Sequence, residues 1–199
     1  MTCMSRTFAP LIILMIIASC STFPVTQVFP LIKTAVVGAD DFEISDDFIN
    51  QMKYSFLKVK IGKSAVAIFV LSTIESDEYT WVNSTGEKIV TKNGKIFLLS
   101  GLDIGNFSLF AYPYEFNKEI SNEEIFFSTL RLENPLAYVD LSTSYYFDYE
   151  KQELHETTKI DVLKKTYRNL YKWNNGKVVY SEQKVHPDLP ILKINYYYK

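Results

Sequence analysis

Lys88-Ile89-Val90-Thr91-Lys92-Asn93-Gly94-Lys95-Ile96-Phe97-Leu98-Leu99 is the stretch that decides the fold class. Two strand-like runs, 88–91 and 95–99, flank Asn93-Gly94. Asn-Gly between such runs is a strong hairpin signal, because both residues accept positive φ. The pattern recurs at Asn175-Gly176, which leads into Val178-Val179-Tyr180. Between and around these turns lie more strand-like runs. Ala65–Leu71 is short, apolar and rich in branched residues, as a buried strand is. Tyr79-Thr80-Trp81-Val82 runs into the turn Asn83-Ser84-Thr85-Gly86. Further strands are expected near 107–112, 125–131, 137–149, 155–165 and 167–173, and the chain ends in the alternating Leu192-Lys193-Ile194-Asn195-Tyr196.

One short helix is expected at 46–53. Ser45 or Asp46 would cap it, and Phe48, Ile49 and Met52 would form its apolar face. Many antiparallel strands at short spacing imply an all-β protein, an antiparallel β-sandwich or a barrel-like curved sheet, with that helix near the N-terminus. A transmembrane barrel is the competitor. Against it count the strand 65–71, read as apolar on both faces, and a lipid anchor that a spanning barrel would not need.

The chain has 199 residues and a net charge of −2, with 47% hydrophobic residues. Acids and bases are mixed along it, which excludes the basic face that nucleic acid requires. Fourteen Tyr and fourteen Phe against seven Gly favour strands. Asn83-Ser84-Thr85 and Asn106-Phe107-Ser108 match the glycosylation sequon, and both read as chance matches to a short pattern.

The N-terminus reads as a secretory signal. Arg6 is the only charge before the apolar run Phe8–Ala18, and Ser19-Cys20-Ser21-Thr22 follows it. The run is shorter than the roughly 20 residues a membrane-spanning helix needs. Ile17-Ala18-Ser19-Cys20 resembles a lipobox, the site of bacterial lipoprotein signal peptidase. That resemblance implies cleavage after residue 19 and a thioether-linked diacylglycerol on Cys20. Ser21 resembles the residue found there in lipoproteins sorted to the outer membrane. Two or more acyl chains, at about 0.8 kcal/mol per buried CH₂, make such an anchor stable. The expected organisation is a signal peptide at 1–19, a lipid-anchored tether at 20–39 and a single β domain at 40–199. Cys3 would leave with the signal, so the remaining chain would hold no disulfide, no zinc-binding cluster and no free thiol nucleophile.

Two longer stretches resemble a known family. The first runs from Trp81 through Gly86, Thr91 and Gly94-Lys95-Ile96 to Ser100-Gly101-Leu102. The second runs from Tyr171-Lys172-Trp173 through Gly176 and Val178 to Ser181-Glu182-Gln183, then His186-Pro187-Asp188-Leu189-Pro190. In order and spacing they are similar to the YjbF/GfcB family of outer-membrane lipoproteins, tied to group 4 capsule and related exopolysaccharides. The resemblance extends from about residue 40 to 196. Lys95 stands where the family commonly has Arg, and residues 115–150 fit only loosely.

Each motif also has a structural reading. Gly86, Gly94 and Gly176 supply turn geometry, and Gly101 marks a strand end or bulge. Trp81 and Trp173 read as core, with carbohydrate stacking as the functional alternative. Gln183 reads as a bond to a neighbouring strand, with a sugar hydroxyl or partner contact as the alternative. His155 and His186 read as structural or capping. No nucleophile elbow, zinc-protease motif or phosphate loop is present, so no catalytic residue, metal or cofactor is expected. The carboxylates Asp40, Asp41, Asp46, Asp47, Asp140 and Asp148 would serve a glycosidase only if two faced one cleft at about 5–10 Å.

The resemblance implies a non-enzymatic protein on the periplasmic face of the outer membrane that assists assembly or export of capsule or exopolysaccharide. Its partners would be the membrane, through the lipid, an outer-membrane barrel or periplasmic export protein, and the polysaccharide. Two other readings stand beside it: a polysaccharide-modifying enzyme, and a carrier of lipid or lipoprotein with an apolar barrel cavity.

Overall fold

In the computed structural model, which describes residues 43–64, 66–110 and 124–199, both Asn-Gly pairs turn the chain as their sequence demands. Asn93 and Gly94 adopt φ of 48° and 82°, and Asn175 and Gly176 adopt 49° and 76°. The first turn joins β4 (Lys88–Lys92) to β5 (Lys95–Ser100). The second joins β10 (Lys165–Asn174) to β11 (Lys177–Gln183).

The other strands are β1 (Phe56–Ile61), β2 (Val66–Glu75), β3 (Glu78–Val82), β6 (Phe107–Phe110), β7 (Ile125–Glu133), β8 (Leu136–Asp148), β9 (Glu153–Ile160) and β12 (Leu192–Tyr197). Each pairs antiparallel with its neighbours in sequence, and β12 returns to β1, with Phe56 opposite Tyr197 and Ile61 opposite Leu192. The fold is therefore a closed up-and-down barrel of twelve strands among the described residues, and closure leaves no sheet edge open. Of the two architectures the sequence allowed, the barrel is the one adopted.

The one helix described, α1 (Asp46–Gln51), is two residues shorter than expected. Ser45 is its cap: the Ser45 hydroxyl accepts from the Phe48 N–H at 3.2 Å. So short a helix has little stability of its own and depends on packing. The Phe48 ring meets Phe56 edge-on at 5.7 Å, and Phe56 stacks on Tyr197 at 4.5 Å. Phe56 lies opposite Val70 on the barrel's outer wall, so α1 covers apolar residues there. This explains the apolar outer positions of the 66–71 run. Its inner face carries Phe69, fully buried, while Ile68 and Val70 are only partly covered.

Elsewhere the alternation is clean. On β9, Leu154, Glu156, Thr158 and Ile160 face in, and on β10 Tyr167, Asn169, Tyr171 and Trp173 do. Lys159, Arg168, Lys172 and Lys193 are exposed on the outer wall. On β7 and β8 several outer positions are instead apolar or aromatic, with Ile125, Phe127, Leu136, Tyr138 and Tyr146 exposed. Each fully buried side chain such as Leu57, Phe69, Ile89, Leu154 and Ile194 contributes about 1.5–3 kcal/mol relative to exposure. Among the described residues no helix is long and apolar enough to cross a membrane. Residues 1–19, Cys20 and the tether to residue 39 lie outside the described residues.

Candidate functional site

Three residues singled out in the sequence, Trp81, Trp173 and Gln183, converge on the β4–β5 hairpin. Trp81, on the inner face of β3, is fully buried, and its indole N–H donates to the Thr91 hydroxyl at 2.9 Å. Tyr79 stacks over it at 5.9 Å. Gln183, on β11, bonds both adjacent strands, its Oε1 accepting from the Tyr171 hydroxyl of β10 at 3.3 Å and its Nε2 lying 3.4 Å from the Tyr196 hydroxyl of β12, and it also reaches across the interior to the hairpin. Its Oε1 accepts from the Ile96 N–H at 2.9 Å, and its Nε2 donates to the Gly94 carbonyl at 2.7 Å and to the Ser181 hydroxyl at 2.8 Å. The Tyr196 hydroxyl donates to the same Gly94 carbonyl at 2.6 Å. These bonds occupy the Gln183 carboxamide and the Trp81 N–H. Both side chains are core fastenings, and neither offers a free group to a sugar.

The approach of the two walls is close enough to require glycine. A Cβ placed on Gly94 would lie 2.5 Å from the Val178 Cβ. Two β-bulges accompany this contact, one at Val90/Thr91 and one at Lys172/Trp173. Bulges bend the strand and re-aim side chains, and here they lie on β4 and β10, the strands that lead into the two Asn-Gly turns. Trp173 lines a cavity of about 40 Å³ at this end of the barrel, with Tyr79, Thr91, Gly94, Lys177 and Tyr198 on its other sides. Its buried Nε1 has no hydrogen-bond partner.

Deeper in the barrel lies a polar network that the sequence reading missed. Lys95 Nζ sits 2.8 Å from Glu156 Oε2, and both side chains are buried. Glu156 also accepts from the hydroxyls of Tyr171 at 3.0 Å and Thr158 at 3.0 Å, and from Asn169 Nδ2 at 3.1 Å. Lys95 donates in addition to the Tyr145 hydroxyl at 3.0 Å. Burial pushes the Lys95 ammonium below its ordinary pKa, against the opposing pull of Glu156. Burial raises Tyr167 well above the usual phenol range, and the Glu156 charge adds to the shift. A cavity of about 20 Å³ touches this network. That is room for one water and not for an acyl chain. One signal did exist: Glu156 shares the inward parity of Leu154 and Thr158, so a carboxylate stood at a core position.

The remaining sequence candidates lie apart. Asp46 and Asp47 are in the first turn of α1, where acids suit the helix dipole. Asp140 accepts from Thr129 on the outer wall at 3.1 Å, and Asp148 accepts from the backbone N–H groups of Glu150 and Lys151 in a hairpin. Asp40 and Asp41 lie outside the described residues. His186 Nδ1 accepts from the Asp188 N–H at 3.3 Å and caps a turn, and His155 lies on the outer wall beside Glu153 and Tyr146. The Asn83 carboxamide is bonded at both ends, its Oδ1 accepting from the Thr85 and Glu87 N–H groups and its Nδ2 donating to the Glu87 carboxylate. Among the described residues no group of three or more His, Cys, Asp or Glu is placed to hold a metal ion.

Comparison with known proteins places this geometry. Residues 31–106 match the family model described as "Group 4 capsule polysaccharide lipoprotein gfcB, YjbF". The likeness to YjbF read in the sequence holds. The YjbF match takes in β1 to β5, and with them Trp81, Thr91, Gly94 and Lys95. The second motif, Tyr171 to Pro190, lies beyond the matched residues, yet Gln183 carries it onto the matched hairpin at Gly94. A solved structure, the hypothetical lipoprotein YmcC of Escherichia coli (K12), shares the fold with a TM-score of 0.66 at 16% identity, covering 78% of this chain and 89% of that one. No curated protein matches the sequence.

Proposed function

We propose that the protein is a non-enzymatic lipoprotein, tethered through Cys20 to the periplasmic face of the outer membrane, that assists assembly or export of a capsule or exopolysaccharide. The observation that carries this reading is the match of residues 31–106 to a capsule polysaccharide lipoprotein family. Two structural features support a scaffold. The interior polar groups around Glu156 are bonded to one another and sealed from solvent, so they hold the walls together. The outer wall, charged on β9, β10 and β12 and exposing Ile125, Phe127, Leu136 and Tyr138 on β7 and β8, presents a surface to a barrel or periplasmic partner.

The test is surface polysaccharide in three strains: gene deleted, restored with wild type, and restored with Cys20→Ala. Loss on deletion, recovery with wild type and failure of Cys20→Ala are expected. Equal polysaccharide in all three strains of a producing host would refute the role.

A further inference from the structure

The outer wall over β7 and β8 carries large side chains that the core does not use. Ile125, Phe127, Leu136, Tyr138 and Tyr146 point outward there and are more than half exposed, Phe127 at 68%. Their register is ordered. At the α1 end of the barrel Ile125 and Phe127 of β7 lie opposite Ser144 and Ser142 of β8. At the other end Tyr138 and Leu136 of β8 lie opposite Arg131 and Glu133 of β7. The bulk therefore changes strands halfway along the wall. There the Thr129 hydroxyl donates to the Asp140 carboxylate at 3.1 Å, and a shallow hollow of about 330 Å³ opens beside Phe127.

At about 100 Å² for each of these side chains, the stripe exposes roughly 500 Å² of largely apolar surface, in the upper range for a monomer. With Thr129, Asp140, Ser142 and Ser144 among them, the face approaches the roughly 800 Å² that each partner buries in a standard interface. Lipid is a poor cover, because Asp140, Arg131 and Glu133 interrupt the stripe and charge on a lipid-facing wall is destabilising. A second copy of the chain is a good one. A two-fold axis along the strands sets β7 of each copy over β8 of the other. Phe127 then lies over the partner's Ser142 and beside the hollow, Ile125 lies over the partner's Ser144, and the Tyr138 ring meets the partner's Arg131 as a cation–π pair. The same axis leaves both α1 ends on one side of the pair, so the chains that precede residue 43 can lead to a single membrane.

We propose that the β7–β8 face is the contact between two copies of this chain, an isologous dimer held chiefly by the two Phe127 rings. The dimer goes beyond the polysaccharide role and does not depend on it.

The test is cross-linking of the full chain in whole cells with a short bis-maleimide. Ser142→Cys places a thiol on the stripe, and Lys172→Cys places one on the charged wall of β10. A species of twice the chain's mass is expected from Ser142→Cys, well above the yield from Lys172→Cys or wild type. Adding Phe127→Asp to Ser142→Cys should lower that yield at least about tenfold, with thermal unfolding of the purified variant unchanged. Should Phe127→Asp not fold, Ile125→Lys, also at an exposed position, takes its place with the same expected loss. No cross-link from Ser142→Cys, equal yields from Ser142→Cys and Lys172→Cys, or a dimer that survives both substitutions overturns the contact. Adducts of another mass alone overturn it as well, and assign the face to a different protein. If no dimer forms and Phe127→Asp instead weakens binding of the purified chain to phosphatidylethanolamine vesicles, lipid covers the stripe and the dimer fails.

Discussion

At Gly94 a φ of +82° and a wall 2.5 Å from any added Cβ act on the same residue. Gly86 separates the two effects, because it has a φ of +84° but nothing within 4 Å of an added Cβ. Gly86→Ala therefore meets only the left-handed strain, about 1–2 kcal/mol. Gly94→Ala adds overpacking of about 1–3 kcal/mol, and should lower stability more in urea unfolding. The Lys95–Glu156 pair gives a second test at this scale. Replacing one partner, in Glu156→Gln or Lys95→Met, leaves a buried charge unmatched and should lower stability by about 3–5 kcal/mol. The double variant Lys95→Met/Glu156→Leu should recover much of that loss, read from the same urea curves. The turn role of Gly94 was legible from Asn-Gly alone. Its contact with Val178 was not, because that contact crosses the barrel. The partnership of Lys95 with Glu156, 61 residues apart, was hidden for the same reason.

Among the elements, those carrying a local signal were readable. The hairpins at 93–94 and 175–176, the Ser45 cap and the alternating β12 all follow from short-range chemistry. β1 (Phe56–Ile61) was not recognised. Its inner residues Leu57, Val59 and Ile61 alternate with lysines, but Phe56 interrupts the pattern because α1 covers it from outside. The segment joining β11 to β12 offers a pH test. Burial holds His186 below the ordinary imidazole value of 6.5, with Lys165 and Lys184 adding to the shift and Asp188 opposing it. As pH falls through 6.5 the unfolded chain binds the proton before the folded one, so stability declines. The depressed carboxyls of Asp188 and Glu182 lose their contribution only at lower pH, below their ordinary values of 3.8 and 4.5. Between pH 6.5 and 5 the melting temperature should fall, and His186→Asn, which keeps an acceptor for the Asp188 N–H, should flatten that part of the profile.

For the whole molecule, the strand count and the alternation announced an all-β fold, but closure did not show in the sequence. It depends on Phe56–Ile61 meeting Leu192–Tyr197 at the far end of the chain. Once closed, the barrel encloses apolar side chains and turns Lys159, Arg168, Lys172 and Lys193 outward on β9, β10 and β12, while Ile125, Phe127, Leu136 and Tyr138 are exposed on β7 and β8. In the proposed function the membrane anchor is a lipid on Cys20, not the strands of the barrel. The most direct measurement is membrane fractionation of wild type and Cys20→Ala, followed by an alkaline carbonate wash. A water-facing barrel held by lipid predicts that wild type stays with the membrane and that Cys20→Ala is recovered folded in the soluble periplasmic fraction. Cys20→Ala retained in carbonate-washed membranes would contradict it, and would show that the strands themselves hold the protein in the bilayer.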